Sequence, residues 1–131
     1  MKIVLDTNVL MSAVLVPGSC RELLTGRALA HPWFTSRALI EELEAGLRGK
    51  LNLEPERTPL YLVYRRRVEV VTPAPLAAPV CRDRDDDEVL ATALSAGADV
   101  IITGDKDLLV LGKHKGIRIR SPRQFLEDSD A

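Results

Sequence analysis

The amino-acid sequence predicts an α/β protein in which a five-stranded parallel sheet is covered by helices on both faces. Short apolar runs rich in Val and Ile recur along the chain, and stretches with helical periodicity separate them. Strands that alternate with helices form parallel sheets. Because right-handed crossovers place helices on both faces of such a sheet, the expected architecture is a three-layer α/β/α sandwich.

The five strands and five helices follow from these two patterns. The strands are expected at residues 2–5, 32–35, 68–71, 100–103 and 117–119, and the helices at 19–29, 37–50, 55–66, 85–96 and from 121 onward. Ser36 is expected to cap the second helix, and Gly97 to end the fourth. Residues 72–80 contain three prolines and are therefore expected to cross the domain as an extended segment.

Length and composition exclude several classes of protein. The chain has 131 residues, of which 46% are hydrophobic and 28% charged, as expected for one globular domain over residues 1–131. A formal net charge of −1 argues against binding nucleic acid through a global basic field. No apolar run approaches the roughly 18 residues of a membrane span, and no signal peptide opens the chain, so we expect a cytoplasmic protein with no membrane partner. Cys20 and Cys81 belong to no metal-binding motif and are expected to be buried thiols.

Acidic residues gather where the carboxyl ends of the strands should meet. Asp6 follows the first strand and Asp105 follows the fourth. The run at residues 85–87 opens the helix that leads into the fourth strand, and Asp85 is expected to be its N-cap, with Glu88 completing a capping-box-like pair. Ligands of parallel sheets bind at this edge, near the point where the strand order reverses, so the functional site is expected there.

The helix after Ser36 contributes one further carboxylate. At about 100° per residue its apolar sector contains Leu39, Ile40, Leu43 and Leu47. Glu41 and Glu44 are then expected to face solvent, together with Arg37 and Arg48. Glu42 lies on a flank lined by small residues, where a polar group or ligand has room. Carboxylates crowded into one cleft repel each other unless cations join them, and oxygen-only ligands suit Mg²⁺ or Mn²⁺. One or two such ions would orient water for attack on a phosphodiester.

Four motifs in order resemble those of PIN-domain nucleases. They are VLDTNVL at residues 4–10, SxxLxxEL at 36–43, DxxLAxA at 87–93 and TGDKDL at 103–108. The run CRDRDDD at 81–87 resembles the prokaryotic subgroup of toxins in type II toxin–antitoxin systems, the VapC-like proteins. The resemblance spans about residues 2–126.

The resemblance implies a Mg²⁺- or Mn²⁺-dependent endoribonuclease that leaves a 5′-phosphate and a 3′-hydroxyl. The implied catalytic and metal-binding acids are Asp6, Glu42, Asp87 and Asp105. Asp107 matches an acid that is frequent but not constant in the family. Asp86 replaces Asp87 in this set if the helix starts one residue differently. Thr7, Asn8 and Thr103 match polar positions that orient the acids or water. PIN relatives pair as homodimers, with the helix at 19–29 or that at 55–66 as the candidate interface, and a small antitoxin protein is an implied partner.

Two basic runs are candidate RNA contacts, because basic side chains position nucleic-acid backbones. Their residues are Arg65, Arg66, Arg67, Lys113 and Lys115. The first rival function is a PIN-like RNA-binding or protein-interaction module with little or no turnover. The second is a phosphatase of the DxD type, but Asn8 stands where that motif has its second aspartate.

Overall fold

The computed structural model describes residues 1–128, whose central element is a six-stranded sheet in the order β3-β2-β1-β4-β6-β5. The strands are β1 (Ile3–Leu5), β2 (Trp33–Thr35), β3 (Val68–Val70), β4 (Val100–Ile102), β5 (Lys113–His114) and β6 (Ile117–Arg120). All neighbours are parallel except β5, which pairs antiparallel with β6 at one edge. The five expected parallel strands are confirmed, and the two-residue β5 adds a sixth that was not predicted.

Seven helices surround the sheet in the described part of the chain. They are α1 (Thr7–Leu15), α2 (Ser19–Thr25), α3 (Arg37–Gly49), α4 (Pro59–Arg67), α5 (Arg84–Ala96), α6 (Lys106–Leu109) and α7 (Pro122–Glu127). Helices α1 and α6 were not predicted. The stretches expected at 19–29 and 55–66 are each divided into a short 3-10 turn and an α-helix, the turns being Arg27–Ala30 and Pro55–Arg57.

The helix ends correct two capping expectations. Helix α5 is capped by Asp83, whose carboxylate accepts the Asp85 backbone N–H at 2.9 Å, so Asp85 is not the N-cap. Ser36 occupies the N-cap position of α3 but makes no side-chain cap, because its buried hydroxyl is bonded to Thr92 Oγ1 at 2.9 Å. Gly97 ends α5 as expected, with a φ of 66° that glycine adopts without strain.

Alternation along the strands divides the core into two layers. Ile3 and Leu5 face a core shared with α1, α2 and α4, whereas Val4 faces the core of α5. All three side chains are essentially inaccessible to solvent. Helices therefore cover both faces of the sheet, as expected for a parallel sheet in a three-layer sandwich.

The strand order reverses between β1 and β4. From β1 the chain continues to β2 and β3 on one side of the sheet, and from β4 to β6 on the other. The Asp6 N–H donates to the carbonyl of Ile102 at 2.9 Å, which extends the β1–β4 ladder to the carboxyl edge. This is the place where parallel sheets bind their ligands.

Two further features concern the whole described chain. No helix within residues 1–128 is long and apolar enough to cross a membrane. Cys20 and Cys81 are free thiols, but both are half-buried rather than buried as expected.

Candidate metal centre

Asp6 lies at the centre of the carboxyl edge. It is the N-cap of α1 and is only 4% exposed. Thr103 Oγ1 donates to its Oδ2 at 2.7 Å, and the Asn8 backbone N–H lies 3.5 Å from its Oδ1. Burial raises the pKa of Asp6 and the nearby Asp105 charge adds to this, while these hydrogen bonds oppose it. The site therefore holds a carboxylate in a position that favours a compensating cation.

A hydroxyl connects Asp6 to Glu42. Thr7 Oγ1 donates to Glu42 Oε1 at 2.7 Å and lies 3.5 Å from Asp6 Oδ1. Burial is the main reason that the pKa of Glu42 is raised, and the charges of Asp85 and Asp6 contribute. Helix α3 thus turns Glu42 toward the acids, as its helical phase predicts.

The other two glutamates of α3 differ from each other. Glu41 is exposed, as expected, whereas Glu44 is half-buried and accepts a hydrogen bond from the Tyr61 hydroxyl. The expectation that Glu44 faces solvent is wrong because α4 packs beside it. Burial and this bond raise the pKa of Tyr61 to about 12.

The turn after β4 orients Asp105. Its N–H donates to Thr103 Oγ1 at 3.0 Å, so one threonine hydroxyl joins Asp105 to Asp6. Asp105 is the N-cap of α6, and its Oδ1 accepts the backbone N–H groups of Asp107 and Leu108. The cap uses only Oδ1, and Oδ2 of Asp105 has no hydrogen-bond partner among residues 1–128.

Asp86 is the second buried acid at this edge, after Asp6. Its side chain is 6% exposed, and its buried Oδ2 has no hydrogen-bond partner among the described residues. Burial raises the pKa of Asp86 to about 6, and the charges of Asp105, Asp83, Asp6 and Asp107 add to this. An orphaned carboxylate oxygen is costly unless a donor or a cation completes it.

Three of the acids are close enough to share an ion. One carboxylate oxygen from each of Asp86, Asp105 and Asp107 lies within 4.8 Å of the others. The donor set contains oxygen alone, which suits Mg²⁺ or Mn²⁺, and such an ion would compensate the buried Asp86 carboxylate, whose Oδ2 has no hydrogen-bond partner among the described residues. These residues therefore fit a divalent cation.

Asp87 is not part of this cluster. Its carboxylate accepts the backbone N–H of Cys81 at 2.8 Å and that of Val80 at 3.3 Å. Asp87 thus attaches the proline-rich segment to α5, and Asp86 lies with the acids instead. The start of α5 at Arg84 sets this phase.

Arg82 contacts the cluster from outside. Its Nη2 lies 2.9 and 3.1 Å from the two carboxylate oxygens of Asp107, and the contact raises the pKa of Arg82. Arg82 is not among the site residues predicted from the sequence. Its place in the charged run at 81–87 was the available signal.

The predicted RNA-contacting residues lie elsewhere. Arg65, Arg66 and Arg67 form the last turn of α4, directly before β3 begins, and therefore lie at the amino edge of the parallel sheet. Arg67 also donates to the Leu29 carbonyl and stacks on Trp33. Lys113 pairs with Arg118 near the start of β6, and Lys115 is in the adjoining turn, so both lie at that same edge. The structure does not bring these residues to the acids.

The cations next to the acid-bearing elements are residues other than those predicted to contact RNA. Arg82 lies just before α5, Arg84 and Lys106 are the first residues of α5 and α6, and Arg120 ends β6 beside Ile102.

Asn8 takes part in the site through its backbone N–H, which lies 3.5 Å from Asp6 Oδ1, and its side chain is exposed.

Comparison with known proteins identifies the fold. The sequence pattern of the PIN domain matches residues 2–107, which include every acid described above. The chain belongs to the PIN-domain family. The uncharacterized protein MJ1680 of Methanocaldococcus jannaschii is 31% identical over 144 residues, which cover 97% of this PIN domain's chain and 90% of that protein.

A solved structure has the same PIN fold. A chain in the crystal structure of VapBC2 from Rickettsia felis, bound to a DNA fragment from their promoter, superposes with a TM-score of 0.64 at 15% identity. The superposition covers 92% of this PIN domain's chain and 98% of the other. At that identity the similarity concerns the fold, which agrees with the architecture expected from the sequence.

Proposed function

We propose that this PIN domain is a Mg²⁺- or Mn²⁺-dependent endoribonuclease and the toxin of a toxin–antitoxin pair. The observation that carries the proposal is the buried Asp86 carboxylate: its Oδ2 has no partner among residues 1–128, and one of its oxygens lies within 4.8 Å of oxygens of Asp105 and Asp107. Family membership supplies the nuclease context. RNA as the substrate rests on the motif resemblance to VapC-like proteins.

The proposed ligands are Asp86, Asp105 and Asp107, with Asp6 beside them. A divalent ion, when bound, would lower the pKa of a coordinated water and offset charge on the phosphate. Asp6 is held in place by Thr103, and its buried carboxylate adds negative charge that favours cation binding. Asp86 takes the ligand role in place of Asp87, whose oxygens are used by the segment before α5.

Glu42 is the residue proposed to orient the attacking water. Its position is fixed by the Thr7 hydroxyl, and its raised pKa suits a group that receives a proton. In the proposed hydrolysis, water oxygen bonds to phosphorus and the P–O3′ bond breaks. The products are a 5′-phosphate and a 3′-hydroxyl, which takes up a proton.

An antitoxin and a second copy of the chain are the proposed protein partners. The superposition on a chain of the VapBC2 structure supports the antitoxin. An antitoxin arginine placed among the acids would bridge carboxylates with its fork of donors and keep metal out. Exposed apolar side chains at the end of α1 and on α4 support a homodimer: Leu15, Val16, Leu62 and Val63.

A nuclease assay tests the function. Single-stranded RNA is incubated with Mn²⁺ or Mg²⁺ and the wild-type protein, or with Asp86→Asn, Asp105→Asn or Glu41→Gln. Glu41→Gln is the matched control because it also removes one carboxylate, from an exposed residue that lies next to Glu42 on α3 and faces solvent. We expect the first two substitutions to lower cleavage about 100-fold or more, as for loss of a group that stabilises the transition state, and Glu41→Gln to retain most of it.

The rival function predicts a different result. A PIN-like module without turnover would bind RNA while the wild type and all three variants leave it uncut in either metal. Equal cleavage by the wild type and Asp86→Asn would place the activity outside this site.

A further inference from the structure

Arg82 forms an exposed ion pair with Asp107, one of the three acids of the acidic cluster Asp86, Asp105 and Asp107. Its side chain is 87% exposed and that of Asp107 is 40% exposed. Arg82 belongs to the segment that Asp87 attaches to α5, whereas Asp107 belongs to α6. The pair therefore joins two separate parts of the chain across an open concavity, which Arg84 and Asp85 also line.

Asp107 has two competing uses. It offers an oxygen to the cluster with Asp86 and Asp105, yet both of its oxygens are within hydrogen-bond distance of Arg82 Nη2. A divalent cation on Asp107 repels the guanidinium and takes its acceptor. Exposed ion pairs are weak, so an ion held by several carboxylates would displace Arg82.

The displaced guanidinium keeps its capacity to bind an anion. Only Nη2 contacts Asp107, and Nε and Nη1 of Arg82 have no hydrogen-bond partner among residues 1–128. Arginine presents a planar fork of donors that matches phosphate oxygens. The basic groups predicted to contact RNA lie at the opposite edge of the sheet, so phosphate contacts beside the acidic cluster depend on cations such as Arg82.

We propose that Arg82 is a substrate-positioning residue that exchanges partners. It pairs with Asp107 while the acids hold no metal, and it binds a phosphate of the RNA once a divalent cation occupies Asp107. This inference rests on the proposed function, because it takes RNA as the substrate and a divalent ion as the cofactor. It adds a coupling in which metal binding releases the phosphate-binding group.

A metal titration tests the first half of the exchange without RNA. Mn²⁺ affinity is measured by calorimetry for the wild type, Arg82→Gln and Arg84→Gln. Arg84 is the matched control because it is an equally charged, exposed residue of the same concavity with no acidic partner among the described residues. We expect Arg82→Gln to bind Mn²⁺ about three- to fivefold more tightly than Arg84→Gln, the range set by a weak exposed ion pair. Equal affinities would overturn the exchange.

RNA binding tests the second half. Anisotropy of a labelled single-stranded RNA is measured with each arginine variant in an Asp6→Asn background, which prevents cleavage. With saturating Mn²⁺ we expect Arg82→Gln to weaken RNA binding about tenfold and Arg84→Gln less than about threefold, because a charge-assisted phosphate contact is the stronger interaction. With EDTA the two variants should behave alike. Equal losses with Mn²⁺ would show that only net charge matters and would overturn the proposal.

The two measurements separate the inference from the proposed function. If the wild-type protein binds Mn²⁺ but no RNA, both the proposed function and the proposed contact between Arg82 and an RNA phosphate are contradicted. A wild-type protein that cleaves RNA, together with equal Mn²⁺ affinities of the two variants, contradicts only the role of Arg82.

Discussion

Thr103 and Asp6 are 97 residues apart in the chain, yet the Thr103 hydroxyl donates a 2.7 Å hydrogen bond to the Asp6 carboxylate. Both residues are buried, and the same hydroxyl accepts the Asp105 backbone N–H. The carboxyl ends of β1 and β4 are thereby connected at the point where the strand order reverses. This relationship holds two of the proposed site acids in register before any ligand binds.

Replacing this hydroxyl should destabilise the fold and disturb both acids. Thr103→Val keeps the shape of the side chain but leaves the Asp6 carboxylate and the Asp105 N–H without their partner. We expect the free energy of unfolding to fall by about 1–3 kcal/mol, the cost of an unsatisfied buried group. Urea unfolding measures this. Thr103→Ser retains the hydroxyl and should lose less than half as much, and equal losses would mean that packing of the methyl group matters more than the hydrogen bond.

Asp86 should make the metal-free protein less stable as the pH rises. Its pKa is about 6 in the folded state against an ordinary value of 3.8, so the folded protein binds this proton more tightly than the unfolded chain does. The contribution to stability is fully present below about pH 4 and is lost as the pH rises through about 6. In EDTA, Asp86→Asn should therefore flatten this part of the stability profile and raise stability at pH 7. Parallel profiles for wild type and variant would contradict the assignment.

Divalent metal should stabilise the fold through the acids at the carboxyl edge. Mn²⁺ at about 100 times its dissociation constant should add about 2.7 kcal/mol to the free energy of unfolding. Differential scanning calorimetry with and without Mn²⁺ measures the increment. Asp6→Asn combined with Asp105→Asn should lose most of it while keeping or raising the stability in EDTA, because carboxylate repulsion is relieved. An unchanged increment in the double variant would place the ion elsewhere.

Asp87 should matter for the proline-rich segment rather than for the ion. Asp87→Ala removes the acceptor of the Cys81 and Val80 N–H groups. We expect faster proteolysis within residues 72–83, a loss of about 1–2 kcal/mol of stability, and a Mn²⁺ affinity within about threefold of the wild type. Asp86→Asn is the matched comparison: we expect residues 72–83 to resist proteolysis as in the wild type, and Mn²⁺ to bind at least tenfold more weakly. The reverse pattern would assign the ligand role to Asp87.

The sequence predicts β1 and β4 well because each is a short, buried, continuously apolar run, as Val100–Ile102 illustrates. Strands β3 and β6 carry charged residues between their Val or Ile residues, so these β-branched residues are their only local signal. Helix α1 escapes prediction because its residues are mostly apolar on all sides and follow β1 after a single capping residue, Asp6. Helix α6 is only four residues long, too short for a periodicity to show. Local pattern therefore predicts the sheet better than the short elements at its carboxyl edge.

The acids at that edge are predictable as a group but not one by one. Asp6, Glu42 and Asp105 follow from strand ends and helical phase. The choice between Asp86 and Asp87 depends on a shift of one residue, about 100° around the helix, and three consecutive aspartates give no local reason to prefer either. The cap by Asp83 decides it. The contact between Arg82 and Asp107 joins residues 25 positions apart through tertiary packing, which the sequence pattern does not encode.

An anomalous difference map from crystals soaked in Mn²⁺ tests the central claim most directly. We predict a peak about 2.0–2.6 Å from carboxylate oxygens of Asp86, Asp105 and Asp107, the range of hard cations bound by oxygen, with the Arg82 guanidinium moved away from Asp107. A peak on Asp87, or no peak within reach of the Asp86 carboxylate, would contradict it.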